Sequence, residues 1–184
     1  MRVILWGYNG SQKIVPASRY LTNKYLPFSV SYVNYMGDIN CWSSFLQGYL
    51  TNVPDDYIIF ALDDYLVANK LDEVKFWMAY NEIAYNHDVV CIKLCHSTPE
   101  EHEEYPVTTQ YCIWNRKYLI ELLGKVKTPW QFEIEGSKLF NKICLHRPCL
   151  EYFTNSSISS RWEGIRLDGL KEEDINELKN LGYV

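Results

Sequence analysis

The chain has 184 residues and a net charge of −5, with 47% of its residues hydrophobic and 22% charged. That length suits one domain whose core needs no metal or disulfide staple, and the composition is globular, not disordered. The acidic balance leaves no broad basic face for nucleic acid, and no segment approaches the ~20 apolar residues of a membrane span.

Residues 2–7 form a short apolar strand that stops at the turn-forming cluster Tyr8-Asn9-Gly10-Ser11. Pro16 opens a helix through Tyr25, in the first turn where proline is tolerated. Residues 28–35 alternate as a second strand and end at Gly37-Asp38. A helix from about 40 to 50 carries Trp42, Phe45, Leu46 and Tyr49 at i, i+3, i+4 and i+7. Ile58 to Leu62 then run without a polar interruption between Asp55-Asp56 and Asp63-Asp64, the pattern of a central strand buried on both faces.

The helical period returns over 71–86, with Val74, Trp77, Met78 and Ala84 near one face, and 88–95 is a fourth apolar strand. Residues 96–106 are acidic and polar, as a solvated loop is. A strand over 108–114 leads to a short helix carrying Tyr118, Leu119, Leu122 and Leu123, closed by Gly124. The clearest helix start is Thr128-Pro129-Trp130-Gln131, with Thr128 as N-cap, Pro129 at the first helical position and Gln131 reaching back. Residues 142–153 are extended, 155–161 a Ser-rich loop and 172–181 a polar terminal helix. Strands and helices alternate without repeat or linker. The expectation is one α/β domain over 1–184, with a mixed, mostly parallel central sheet flanked by helices and a C-terminal loop and helix from about 155.

Cys41, Cys91, Cys95, Cys112, Cys144 and Cys149 include no Cys-x-x-Cys pair, and the apolar start at Val3 to Trp6 is too short for a secretion signal. Free thiols in a reducing cytoplasm are expected. A zinc site from Cys91, Cys95 and His96 would have the wrong spacing.

Asp63 and Asp64 stand at the C-terminal end of the buried strand, where open α/β sheets bind ligands. Adjacent carboxylates repel unless a proton or cation separates them, and oxygen ligands suit Mg²⁺ or Mn²⁺ on a diphosphate. A plain Asp-Asp turn ending the strand explains the dipeptide equally well. Glu133 and Glu135 fall in the first turns of the helix after Thr128, where the helix dipole favours carboxylates for stability alone. Phe132, Gly136, Leu139 and Phe140 mark its apolar face, which Glu135 borders at about sixty degrees. A carboxylate set against such walls suits a general base.

The acids after the third strand and the acidic helix start seventy residues later resemble the GT-A fold glycosyltransferases, small bacterial and phage-type members in particular. Asp63-Asp64 matches the shortened form of that family's Asp-x-Asp motif, with Ala61 or Leu62 where the first acid would stand. The resemblance implies a Rossmann-like GT-A domain in which Asp64 binds the Mn²⁺ or Mg²⁺ that holds the diphosphate. Asp63 would assist, and His146 would complete the metal shell. It also implies nucleotide-sugar contacts from Tyr8, Asn9 and Gly10, from Asp38 and Trp42, and from Arg161 and Trp162 closing over the donor. Residues 109–114 resemble the acceptor-side strand and contribute Gln110, with Trp130 also on the acceptor side. The segment from Trp130 to Glu133 is similar to a Trp-x-x-Glu motif whose acid is the base in inverting members. Glu133 is the first candidate for that base and Glu135 the second, since residues two apart do not share a helix face.

The implied activity is metal-dependent transfer of a sugar, from a UDP-sugar in expectation, to a hydroxyl acceptor with inversion. Two other readings stand beside it. A nucleotidyltransferase would normally carry a Gly-rich basic loop after the first strand, where this chain has Gly7, Gly10 and Lys13. A carbohydrate-binding or interaction module without catalysis would keep the fold and lose the full acidic motif.

Overall fold

A computed structural model describes residues 1–8, 14–95, 106–154, 167 and 169–184. Its centre is β3 (Tyr57–Leu62), where Ile58, Ile59, Phe60 and Ala61 are all fully buried. Burial on both faces follows from alternation, since successive strand side chains point to opposite sides of the sheet. Ile59 and Ala61 pack with Val3, Leu5, Leu21 and Phe76 on one side, whereas Ile58 and Phe60 join Ile4, Trp6, Trp42 and Trp114 on the other.

β1 (Arg2–Tyr8) pairs in parallel with β3 on one side and with β2 (Ser29–Tyr35) on the other. Beyond β3 lies β6 (Cys112–Asn115), antiparallel to β3 and to β5 (Val89–Lys93), and β7 (Ile143–His146) closes the far edge parallel to β5. The order is therefore β2-β1-β3-β6-β5-β7. β4 (Tyr65–Val67) and β8 (Tyr152–Thr154) make a separate antiparallel pair. The chain departs from β1 to both sides, so the space beyond the C-terminal ends of β1 and β3 is the topological switch point at which open sheets take ligands.

Helices α1 (Val15–Tyr25) and α3 (Glu73–Tyr85) contribute to the first core. Helices α2 (Trp42–Thr51), α4 (Arg116–Leu123) and α5 (Pro129–Leu139) contribute to the second, and α6 (Glu172–Asn180) packs on α1. Thr128 caps α5 as expected, its Oγ1 accepting the Gln131 N–H at 3.1 Å. The Gln131 side chain, however, accepts from the Lys127 N–H and does not return to Thr128.

Two expectations are corrected. The face of α3 bearing Val74, Trp77 and Met78 is turned to solvent, at 74, 45 and 68% exposure, and the helix packs through Phe76, Ala79 and Ile83. Both stripes have helical spacing, and period alone does not say which one meets the sheet. The strand expected from 108 begins only at Cys112. Residues 108–111 are irregular backbone, joined to the strand ends by the Leu62 N–H to Thr109 and the Leu94 N–H to Tyr111. All six cysteines are free, four of them buried. Among the described residues no helix is long and apolar enough to cross a membrane.

Candidate active site

Asp63 and Asp64 are the two-residue turn between β3 and β4, and their environments differ sharply. Asp63 continues the sheet, its N–H donating to the Trp6 carbonyl at 3.1 Å. Its side chain is almost inaccessible and lies against Gly7, near the end of β1. A Cβ on residue 7 would come within 2.3 Å of both Asp63 Oδ2 and the Tyr32 hydroxyl, so the glycine makes room for this pair. Tyr32 donates to Asp63 Oδ2 at 3.3 Å.

Asp64 is half-buried, and its Oδ1 is shielded from water with no hydrogen-bond partner among the described residues. Burial pushes its pKa up to about 6, its own backbone N–H opposes the rise, and the nearby Glu133 charge adds to it. A shielded carboxylate oxygen without a donor is costly unless a proton or cation meets it.

Glu133 reaches this region from the second turn of α5 because Phe132, beside it, is anchored between Trp42 and Trp114 at ring separations of 5.9 Å each. Its Oε1 accepts the Thr109 N–H at 2.8 Å, the Thr109 hydroxyl at 2.8 Å and the Thr108 hydroxyl at 3.2 Å. Both threonines are buried. Tyr65, directly after Asp64, has its phenol pKa pushed up by burial first and then by the charges of Asp64 and Glu133. Asp64, Tyr65, Glu133 and the two threonines therefore form one cluster beside the end of β3.

The remaining candidates divide. His146 ends β7 with its Nε2 against the Cys95 carbonyl, and the Cys95 thiol donates to Gln110 Oε1 at 2.9 Å. These three make a second group at the neighbouring strand ends. Among the described residues no three His, Cys, Asp or Glu side chains are arranged to hold a metal, so His146 does not complete a shell with Asp63 and Asp64. Asp38 is exposed and caps a 3₁₀ turn (Ile39–Cys41), its Oδ1 accepting the Asn40 N–H at 2.9 Å. Trp42 is fully buried against Trp6 and Phe132 and presents no face to a ligand, which corrects its place among the donor contacts. Glu135 is exposed and paired with Lys138 at 2.9 Å, away from the apolar walls expected beside it. Trp130 is 64% exposed at the start of α5. Tyr8 is the last residue of β1, opposite Tyr35, whereas Asn9, Gly10, Arg161 and Trp162 lie outside the described residues.

A divalent cation fits here in one form. Mg²⁺ is commonly held by one or two carboxylates together with substrate phosphates, with no full protein cage. The partnerless Asp64 oxygen is a donor of the right kind, with Asp63 adjacent. Sequence reasoning missed Gly7, Tyr32, Tyr65, Thr108 and Thr109. Only the Thr108-Thr109 pair, two small hydroxyl residues set before an apolar strand, offered any signal.

No protein-family model and no curated protein matches this sequence. Among solved structures, the chain is similar to a cytidylyltransferase from Leptospira borgpetersenii serovar Hardjo-bovis, with a TM-score of 0.52 and 11% identity over 100% of this chain and 95% of that one. A protein from STIV aligns with a TM-score of 0.48 and 12% identity over 84% of this chain and 85% of that one. The cytidylyltransferase likeness is one of fold, a Rossmann-like α/β architecture.

Proposed function

We propose that this chain is a GT-A-type glycosyltransferase that moves a sugar from a nucleotide diphosphate sugar to a hydroxyl acceptor with the help of Mn²⁺ or Mg²⁺. The observation that carries the reading is the shielded, partnerless Asp64 oxygen at the switch point, with the Glu133 carboxylate close enough to raise its pKa. Two neighbouring acids, one with a shielded oxygen, invite a cation between them and the leaving diphosphate. A cation held by Asp64 and Asp63 would neutralise the diphosphate as it leaves. Glu133 takes the proton of the acceptor hydroxyl while that oxygen forms a bond to the anomeric carbon. The bond from that carbon to the diphosphate oxygen breaks, and a nucleoside diphosphate departs with the electron pair. UDP is the expected nucleotide, and attack from the face opposite the leaving group gives inversion.

A second reading draws support from the fold shared with a cytidylyltransferase. In nucleotidyl transfer a sugar phosphate attacks the α-phosphorus of a nucleoside triphosphate and pyrophosphate leaves. One experiment separates the two: phosphorus NMR of the protein with nucleotide sugars and the diamagnetic Mg²⁺, and in parallel with nucleoside triphosphates, sugar phosphates and Mg²⁺. Release of nucleoside diphosphate that stops with a chelator supports glycosyl transfer. Pyrophosphate release from the second mixture alone replaces it with nucleotidyl transfer. Metal-independent sugar binding without turnover would point to a module without catalysis.

A further inference from the structure

We propose that Thr109, assisted by Thr108, is the positioning residue that aims Glu133 and sets its distance from the Asp63-Asp64 turn. The inference rests on the glycosyl-transfer reading. It begins with an imbalance between the two carboxylate oxygens. A carboxylate oxygen has two lone pairs, yet Glu133 Oε1 receives three donors, a backbone N–H and two hydroxyls. No described residue donates a hydrogen bond to Oε2. A proton taken from a substrate therefore goes to Oε2, and the acceptor hydroxyl has to approach on that side.

The same residue faces both ways. The Thr109 carbonyl accepts the Leu62 N–H at 3.0 Å, and Leu62 is the residue immediately before Asp63. Its N–H and hydroxyl donate to Glu133 at 2.8 Å each. A carboxylate on a helix in the outer layer is thus tied, through one residue, to the end of the strand that presents the acidic turn. Hydrogen bonds to an ionised acceptor are about twice as strong as neutral ones, so this tie is stiff. Stiffness matters because a misplacement of about 1 Å between reacting groups costs on the order of 100-fold in rate. The tie also makes sense of the irregular backbone over 108–111. A regular strand there would alternate its side chains, sending those of neighbouring Thr108 and Thr109 to opposite faces, and only one could meet Glu133.

The test uses the full chain and four variants, the fourth being a double one. Thr109→Val keeps the shape and the backbone N–H and removes the hydroxyl; Thr109→Ser restores it. With UDP-sugar and Mn²⁺, Thr109→Val is expected to lower kcat by about 10- to 100-fold, with the donor KM within about two-fold of the wild type, and Thr109→Ser is expected to recover most of the loss. Placed on a Glu133→Gln background, Thr109→Val should cause no further loss, because the group it aims is already gone. A merely structural threonine would instead raise the donor KM, go unrescued by serine, or add its loss to that of Glu133→Gln, and any of these overturns the proposal. Wild-type kcat in Thr109→Val overturns it too. Absence of sugar transfer by the unmodified protein is a separate failure, seen before any variant is made, and it removes the underlying reading.

Discussion

Replacing Asp64 by Asn should make the metal-free protein more stable at neutral pH. The Asp64 carboxyl has a pKa of about 6 in the fold against 3.8 for the unperturbed group, because burial disfavours its charged form. Between those values the folded chain binds more protons than the unfolded chain, so stability falls as pH rises. The contribution of the protonated acid is complete below about pH 4 and is lost as pH climbs through 6. The two pKa values lie about two pH units apart, which at 1.36 kcal/mol each amounts to about 3 kcal/mol by pH 7. Asn does not titrate, but it leaves an amide in the same partnerless place, and that takes back part of the gain. The net expectation is about 1–2 kcal/mol in favour of Asp64→Asn at pH 7, or about 2–8 °C in Tm for a chain of this size. Near pH 4 the variant should lose this advantage. Urea unfolding followed by tryptophan fluorescence from pH 4 to 8, with a chelator, reads the difference directly. Mn²⁺ should then stabilise the wild type and leave the variant unchanged, since a ligand of the native state alone shifts the equilibrium. Parallel pH profiles for the two proteins, or a wild type more stable than the variant in chelator at pH 7, would refute the reasoning.

Four further outcomes are expected. Gly7→Ala should cost about 2–3 kcal/mol, because the new methyl meets Asp63 Oδ2 and the Tyr32 hydroxyl at 2.3 Å. Gly48→Ala, in the middle of α2 with nothing within 4 Å, should instead gain about 0.5–1 kcal/mol, and chemical denaturation of the pair checks both signs. Asp174→Ala should destabilise by about 3 kcal/mol, since this fully buried carboxylate takes the Tyr25 hydroxyl on both oxygens and the Lys24 ammonium at 2.8 Å. Limited proteolysis should then cut the chain first around α6, and an unchanged cleavage pattern would count against the clamp. Glu135→Gln should leave stability within about 0.5 kcal/mol and turnover at the wild-type level, as its exposed pair with Lys138 contributes little; a large loss of turnover would move the base to residue 135.

Where the sequence was informative, one physical signal dominated each element. The apolar block Ile58 to Leu62 reads as a strand covered on both sides and Thr128-Pro129 as a helix start, and the structure has both. The Asp63-Asp64 pair was visible for the same reason, as charge placed abruptly against apolar chain. Facing direction was less legible. In α3 the stripe of Val74, Trp77 and Met78 is as regular as that of Phe76, Ala79 and Ile83, and only the sheet decides between them. Trp42 shows the limit for aromatic residues, since a ring suits a base or a core alike and this one was taken by Trp6 and Phe132. The hydrogen bonds on Glu133 join residues 24 and 25 positions apart in sequence, and the space over Gly7 is emptied for a residue 56 positions later. No local pattern encodes such meetings. They exist only once the sheet has assembled.

The reversed direction of β6 has an effect on how the molecule can change. Because β6 alone of the six described strands of the main sheet runs backwards, the residues that enter it, 108–111, share a rim with the C-terminal ends of β1, β3 and β5. The opposite rim holds the connections 26–28, 52–56 and 86–88, where the chain turns back into the sheet. Novelty in what is bound can therefore accumulate along one border by lengthening its loops, while the other border returns the chain and ties its strands together through Asp55 and Asp88. A reporter peptide grafted at 86–88 should be borne silently, and one grafted at 108–111 should not.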